Sequence, residues 1–230
     1  MNMSADKDLS PLKYLFVSLV CLLSLASCAP KLVAPPVISY ENIPLDRALS
    51  ELGAVRSVEA VMAIEYQKKD STMSGDAFVN LSDDKLTLRL YYMGFLYGEV
   101  SEENGIVKSK PKLDKNKSAI LVDGLKNSFL WWTLKDYTLT EKEDTYVLTN
   151  SYREVVVDRK TLLPLRQTLN LDSGDVLTIL YDEPAITEEA AKVGQSSLLQ
   201  RYQSKLTITL KNYTVRIKIK SYSASQQTAS

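Results

Sequence analysis

The sequence contains no histidine, which narrows the chemistry available to the protein. Histidine is the most common general base in enzymes and the most common zinc ligand. Only two cysteines are present, Cys21 and Cys28, and both lie near the amino terminus. No glycine-rich phosphate-binding pattern is found either. We therefore expect no catalytic residues, no metal site, no cofactor and no enzymatic activity.

The sequence also lacks an excess of either charge. It has 28 lysines and arginines and 28 aspartates and glutamates, and neither sign forms a dominant block. Binding to nucleic acid needs a concentrated positive surface, so we expect no nucleic-acid partner. Paired carboxylates remain as candidate acid–base groups, but each pair stands beside a turn or helix-start signal, so we interpret all three as solvated. These pairs are Asp83 and Asp84, Glu102 and Glu103, and Glu188 and Glu189.

The first residues have the layout of a secretory signal. Lys7 and Lys13 precede a largely apolar run from Tyr14 to Leu25, and small residues follow. This run is shorter than the ~20 apolar residues that a membrane-spanning helix requires. We therefore predict that residues 1–27 are a signal peptide.

The end of this segment is similar to the lipobox of bacterial lipoproteins. The motif is Leu25-Ala26-Ser27-Cys28, and the similarity implies cleavage before Cys28 and a diacylglyceryl group on its sulfur. An ordinary signal peptide with an incidental cysteine is the alternative. Because Cys21 lies in the discarded segment, we expect no disulfide in the mature chain. Ala29 replaces the aspartate that favours inner-membrane retention, which implies the periplasmic face of the outer membrane.

Residues 28–44 predict a flexible tether, because prolines interrupt them repeatedly. One domain of about 200 residues or fewer then follows, over 45–222. Apolar residues at helical spacing behind Pro44 predict a short helix that ends near Gly53. A second helix is predicted from Ser118 to Trp132, and a third from Thr187 to Val193. We predict a disordered tail over 223–230.

Alternating apolar residues predict consecutive antiparallel strands in most of the remaining chain. In the clearest case Leu86, Leu88, Leu90 and Tyr92 share one face of a strand. Asn104-Gly105 is a strong hairpin signal. About ten antiparallel strands with short helices predict an α+β domain with one long curved sheet, and an all-β barrel or sandwich is the alternative.

The order of these elements resembles the LolA/LolB superfamily of lipoprotein-localisation proteins. Four stretches are similar to that family, and the resemblance extends from about Leu45 to Tyr222. These stretches are Leu86 to Val100, Ser128 to Leu134, Val157 to Leu165, and Lys205 to Tyr222. The glycine-bearing turn Tyr92-Met93-Gly94-Phe95-Leu96 lacks the proline typical of LolB. A LolB-like acceptor role and a shared fold with another role therefore both stay open.

The resemblance implies an unclosed half-barrel whose concave apolar face, covered by short helices as a lid, holds acyl chains. The residues expected to line this cavity are Leu86, Leu88, Leu90, Tyr92, Leu125, Phe129 and Trp132. Each of them is also a reasonable core residue. The implied partners are membrane lipid, other lipoproteins and a periplasmic LolA-like carrier, with the protein itself a monomer.

The turn formed by Met93, Gly94, Phe95 and Leu96 is unusually apolar for a connection between strands. We expect it to contact the membrane or an arriving lipoprotein. The alternative is that it folds back onto the sheet as a hydrophobic plug. For the whole protein, the two hypotheses are an outer-membrane protein that handles lipid and a structural or partner-binding lipoprotein with a filled core.

Overall fold

The computed structural model describes residues 43–69, 71–82, 85–193 and 197–226. Cys28 and the predicted signal peptide and tether, apart from residues 43 and 44, lie outside these ranges. The described helical segments are α1 (Leu45–Gly53), α2 (Lys115–Ser118), a π-helical stretch (Ala119–Gly124), α3 (Leu125–Phe129), a 3₁₀ turn (Trp131–Thr133), α4 (Glu188–Val193) and a second 3₁₀ turn (Leu198–Gln200). None of the helices in these ranges has the length and apolar composition needed to cross a bilayer.

Twelve strands form a single antiparallel sheet. They are β1 (Val55–Lys68), β2 (Ser71–Ser82), β3 (Lys85–Tyr92), β4 (Phe95–Glu103), β5 (Ile106–Lys110), β6 (Thr138–Glu141), β7 (Thr145–Thr149), β8 (Arg153–Asp158), β9 (Pro164–Asn170), β10 (Val176–Ile186), β11 (Arg201–Leu210) and β12 (Tyr213–Gln226). In space the order is β5-β4-β3-β2-β1-β12-β11-β10-β9-β8-β7-β6. The sheet is not closed, because β5 and β6 are its two edges.

The central helical segment, which comprises α2, the π-helical stretch, α3 and the first 3₁₀ turn, lies against the concave face of this sheet. Its π-helical stretch packs against β4 on one side and against β10 and β11 on the other, although these strands are far apart in the sheet order. The sheet must therefore curve around it. Gly124 allows the close approach, because a Cβ atom there would lie only 3.0 Å from the Ile208 Cγ2 atom.

Two apolar clusters stabilise the domain. The larger lies between the central helical segment and β1–β4 and β9–β12, and includes Met62, Ile120 and Leu125, each with no exposed surface. The smaller lies beneath α1, where Leu45 and Leu52 pack with Trp131 and residues of β7 and β8. Burial of such side chains stabilises the fold by ~1.5–3 kcal/mol each.

The predicted fold class is confirmed: the sheet is antiparallel, curved and unclosed, with short helices as a lid. It has two strands more than the approximate ten expected. The domain also extends further than predicted at its carboxyl end. Ser223 to Gln226 were expected to be disordered, but they pair with β1 in β12. This pairing supplies partners for the backbone N–H and C=O groups of Val58 and its neighbours, which would otherwise be exposed to solvent.

Candidate functional site

The β3–β4 hairpin presents apolar side chains to solvent. Its two-residue turn has positive φ at both central positions, 50° at Met93 and 82° at Gly94, which is typical of a type I′ turn. Tyr92 and Phe95 pair across it. The exposed fractions are 80% for Met93, 78% for Phe95 and 57% for Leu96. The turn therefore projects from the sheet, and the alternative that it folds back as a plug does not hold.

A bulge bends this hairpin. Leu90 pairs with Gly98 and Tyr91 pairs with Leu96, so Tyr97 is the extra residue. Bulges increase the local twist and re-aim side chains. The neighbouring strand also approaches closely, since a Cβ atom at Gly75 would lie 2.3 Å from the carbonyl oxygen of Tyr91. Glycine is needed at this position for the two backbones to meet.

A small apolar pocket lies at the base of the hairpin. Its volume is about 120 Å³. The lining comes from β1–β4, from the segment that leads into α2, from α2 and from the π-helical stretch, and includes Ile64, Met73, Leu90, Tyr92, Tyr97, Leu113 and Leu121. An engineered cavity of ~150 Å³ in another protein holds one benzene molecule. This pocket can therefore enclose part of an acyl chain but not a whole lipid.

The predicted cavity residues divide between the core and two pockets. Leu86, Leu88 and Leu125 have no exposed surface and belong to the larger core cluster, so their packed neighbours already fill the space expected there. Phe129 is 5% exposed, packs in the same cluster and also lines the pocket at which Trp132 lies. Leu90 and Tyr92 line the apolar pocket at the hairpin.

Trp132 lies elsewhere, at a second pocket of about 30 Å³. The seven residues therefore do not line one shared pocket, since Leu90 and Tyr92 lie at one pocket and Trp132 at another. Any contact of these residues with a ligand stays a prediction.

Three strands hold the carboxyl end of α3 through a buried polar network. Arg153 of β8 is 2% exposed. Its guanidinium donates hydrogen bonds to the carbonyl oxygens of Asn127 at 3.2 Å and Trp131 at 3.0 Å, and to the side-chain oxygen of Gln167 at 2.7 Å. The positive charge lies at the negative end of the helix dipole. Burial lowers the pKa of Arg153 from its ordinary value.

Tyr181 of β10 completes this network. Its hydroxyl donates to the carbonyl oxygen of Ser128 at 3.2 Å and accepts a hydrogen bond from Gln167. Burial raises the pKa of Tyr181 strongly. The network fixes the lid on the sheet, and it could not be predicted from sequence patterns, because its members are far apart in the chain.

One acidic residue, Glu102, was assigned wrongly from the sequence, whereas its neighbour Glu103 is exposed as expected. Glu102 was expected to be solvated, but it is 6% exposed and its carboxylate lies 2.7 Å from the Lys126 ammonium group. Burial alone would raise its pKa, but the hydrogen bonds from Lys126 and from the Gly105 N–H lower it further than burial raises it. This ion pair joins β4 to α3. Glu188 and Glu189 are exposed at the start of α4, as expected, whereas Asp83 and Asp84 lie outside the described residues.

A wider cleft lies beside the central helix, with a volume of about 750 Å³. Charged and apolar side chains both line it, including Lys112, Lys115, Asp123 and Asp172. Burial and the neighbouring Glu102 carboxylate raise the pKa of Asp123. Across the parts of the chain that the structure describes, no three histidine, cysteine, aspartate or glutamate side chains are grouped as a metal site would require.

Comparison with solved structures identifies the fold. A LolA superfamily protein from Nitrosomonas europaea superposes with a TM-score of 0.52 and 11% identity, covering 81% of this chain and 96% of that one. A DUF1329 family protein from Desulfovibrio piger gives a TM-score of 0.46 at 11% identity, covering 80% and 93%. An outer membrane lipoprotein-sorting protein domain from Vibrio parahaemolyticus gives 0.47 at 11% identity, covering 80% and 92%.

The chain therefore has a LolA/LolB-like fold, as the sequence indicated. No protein-family model and no curated protein sequence matches it.

Proposed function

We propose that this chain is a lipid-anchored envelope protein that binds acyl chains or lipoproteins and helps to carry or insert them at the outer membrane. One observation carries the proposal: the projecting apolar turn, Met93, Phe95 and Leu96, adjoins an apolar pocket that is too small for a whole lipid. Exposed apolar clusters commonly mark protein or membrane contacts. The turn enters the interface, and the pocket receives part of an acyl chain.

The anchor completes this proposal. Lipid on Cys28 holds the domain at the membrane, where the projecting turn contacts nearby lipid. Ala29 supports the outer membrane as the destination. Cys28→Ala removes the thiol, so the protein should lose both the lipid mass and its membrane fractionation. Unchanged mass and unchanged fractionation would exclude the anchor, and recovery mainly in inner-membrane fractions would exclude the assigned membrane.

The turn itself is tested by Phe95→Ser combined with Leu96→Ser. These side chains are exposed, so the variant should melt near the temperature of the unmodified protein while its binding to liposomes falls. A matched control is Val176→Ser with Leu180→Ser, two exposed apolar residues on β10 that are 50% and 49% exposed. A stable turn variant that binds liposomes normally, or an equal loss in the control, would exclude membrane contact by the turn.

The alternative is a structural or partner-binding lipoprotein with the same fold and no lipid cargo. The fully buried side chains of Leu86, Leu88 and Leu125 favour it for the core, because no space is left among them for cargo. Mass spectrometry of the purified, unacylated domain separates the two functions. Co-purifying lipid supports the first, and its absence together with capture of envelope proteins supports the second.

A further inference from the structure

Lysines are concentrated at the apolar pocket. The segment from Lys108 to Lys117 contains five lysines and a single acidic residue, Asp114. Two of these lysines, Lys112 and Lys117, line the pocket together with Leu113. The pocket therefore combines an apolar interior with two ammonium groups, and it adjoins the projecting turn.

Of the two lysines at the pocket, Lys117 has an acidic partner and Lys112 has none among the described residues. Asp76 also lines the pocket, but its carboxylate lies 2.6 Å from the Lys220 ammonium group. Asp114 lies 4.0 Å from the Lys117 ammonium, and its other oxygen caps α2 by accepting from the Lys117 N–H at 2.9 Å. Among the described residues, no hydrogen bond or ion pair engages the Lys112 side chain.

We infer that this pocket binds an anionic phospholipid, with part of an acyl chain in the apolar interior and the phosphate of the headgroup at Lys112 and Lys117. The inference rests on the proposed function and adds selectivity for headgroup charge. The volume of about 120 Å³ holds only a segment of a chain. The remainder stays in the bilayer beside Phe95 and Leu96, so the lipid is held without being extracted.

Selectivity follows from the charge of the headgroup. An anionic phospholipid is attracted by the Lys112 ammonium group and by the Lys117 ammonium group beside Asp114, whereas a zwitterionic headgroup carries its own cation next to the phosphate and gains less. Attraction of lysines to anionic lipid surfaces weakens with added salt. The protein should therefore bind vesicles that contain phosphatidylglycerol more tightly than vesicles of phosphatidylcholine alone, and salt should reduce the difference.

The test compares three proteins on vesicles of phosphatidylcholine with and without about one fifth phosphatidylglycerol. Lys112→Gln with Lys117→Gln should bind the anionic vesicles about thirty-fold more weakly and the neutral vesicles unchanged. The matched control is Lys108→Gln with Lys110→Gln, which removes the same charge from the same segment, at side chains outside the pocket lining. It should lose less than about five-fold.

The outcomes separate the inference from the function on which it rests. Wild-type affinity of the Lys112 and Lys117 variant for anionic vesicles would overturn the inference, and an equal loss in the control would do so too, because the attraction would then belong to the whole surface. So would binding of the unmodified protein without any preference between the vesicles. If the variant with Phe95→Ser and Leu96→Ser binds vesicles normally, that result excludes only the membrane contact by the turn.

Discussion

The guanidinium of Arg153 donates a hydrogen bond to the carbonyl oxygen of Trp131 at 3.0 Å, joining β8 to the end of the central helical segment. We expect Arg153→Met to lower the free energy of unfolding by about 3 kcal/mol, because the Trp131 carbonyl and the Gln167 side-chain oxygen would stay buried without this donor. Chemical denaturation of both proteins measures the change. Arg166→Met is the control. Because Arg166 is exposed, this substitution should change the free energy of unfolding by less than about 0.5 kcal/mol. Equal effects would contradict the role of Arg153.

Two tyrosines should respond in opposite ways to loss of the hydroxyl. The Tyr66 hydroxyl is buried without a hydrogen-bond partner, and its burial raises the pKa of Tyr66 to about 12. Tyr66→Phe should therefore be neutral or stabilising, since no bond is lost. Tyr181→Phe removes the hydroxyl that bonds Ser128 and Gln167, and should cost about 1–3 kcal/mol. Thermal unfolding of both variants decides, and destabilisation by Tyr66→Phe would disprove the assignment.

The ion pair between Glu102 and Lys126 should make stability depend on acidity. The pKa of Glu102 is lowered in the fold, so its contribution is complete above the unfolded value of about 4.3 and is lost as pH falls through the folded value. Unfolding titrations should show the unmodified protein more stable than Glu102→Gln near neutral pH, with a gap that narrows below about pH 4. A gap that widens in acid would contradict this sign. Glu103→Gln, at an exposed neighbour, should have little effect at neutral pH.

Filling the apolar pocket should reduce lipid uptake. Leu90→Trp adds volume without charge, and overpacking costs about 1–3 kcal/mol, which a domain of this size can tolerate. Lipid carried by the purified variant is measured by mass spectrometry, with Leu180→Trp on the outer face as the control. A folded Leu90→Trp protein that retains full uptake would show that the pocket is not where acyl chains bind.

Local patterns in the sequence were sufficient for most of the fold. Alternation predicted β3, Asn104-Gly105 predicted the β4–β5 hairpin, and helical spacing predicted both α1 and the helix around Leu125. These features depend on neighbours in the chain. The number of strands was underestimated because β6 is short and wholly exposed, and so carries no alternating pattern.

The candidate site was predictable only in part. The apolar turn at Met93 and Phe95 was visible because apolar residues are unusual between two strands. The cavity was misplaced because periodicity identifies which residues face inward but not what fills the space opposite them. Only long-range packing determines that Leu88 is fully buried whereas Leu90 is only partly buried and lines a pocket.

The pairing of β1 with β12 also bears on how the chain acquires its structure. Val58 meets Ala224 at the middle of the sheet, so the first and last strands of the domain are direct neighbours there. Ribosomes deliver β1 long before β12, and one side of β1 has no partner until β12 has been synthesised. Contacts of such high sequence separation slow folding and leave strand edges open to aggregation. The sheet is therefore complete only after β12 has emerged from the ribosome, and truncation of β12 would leave one side of the central strand β1 without a partner.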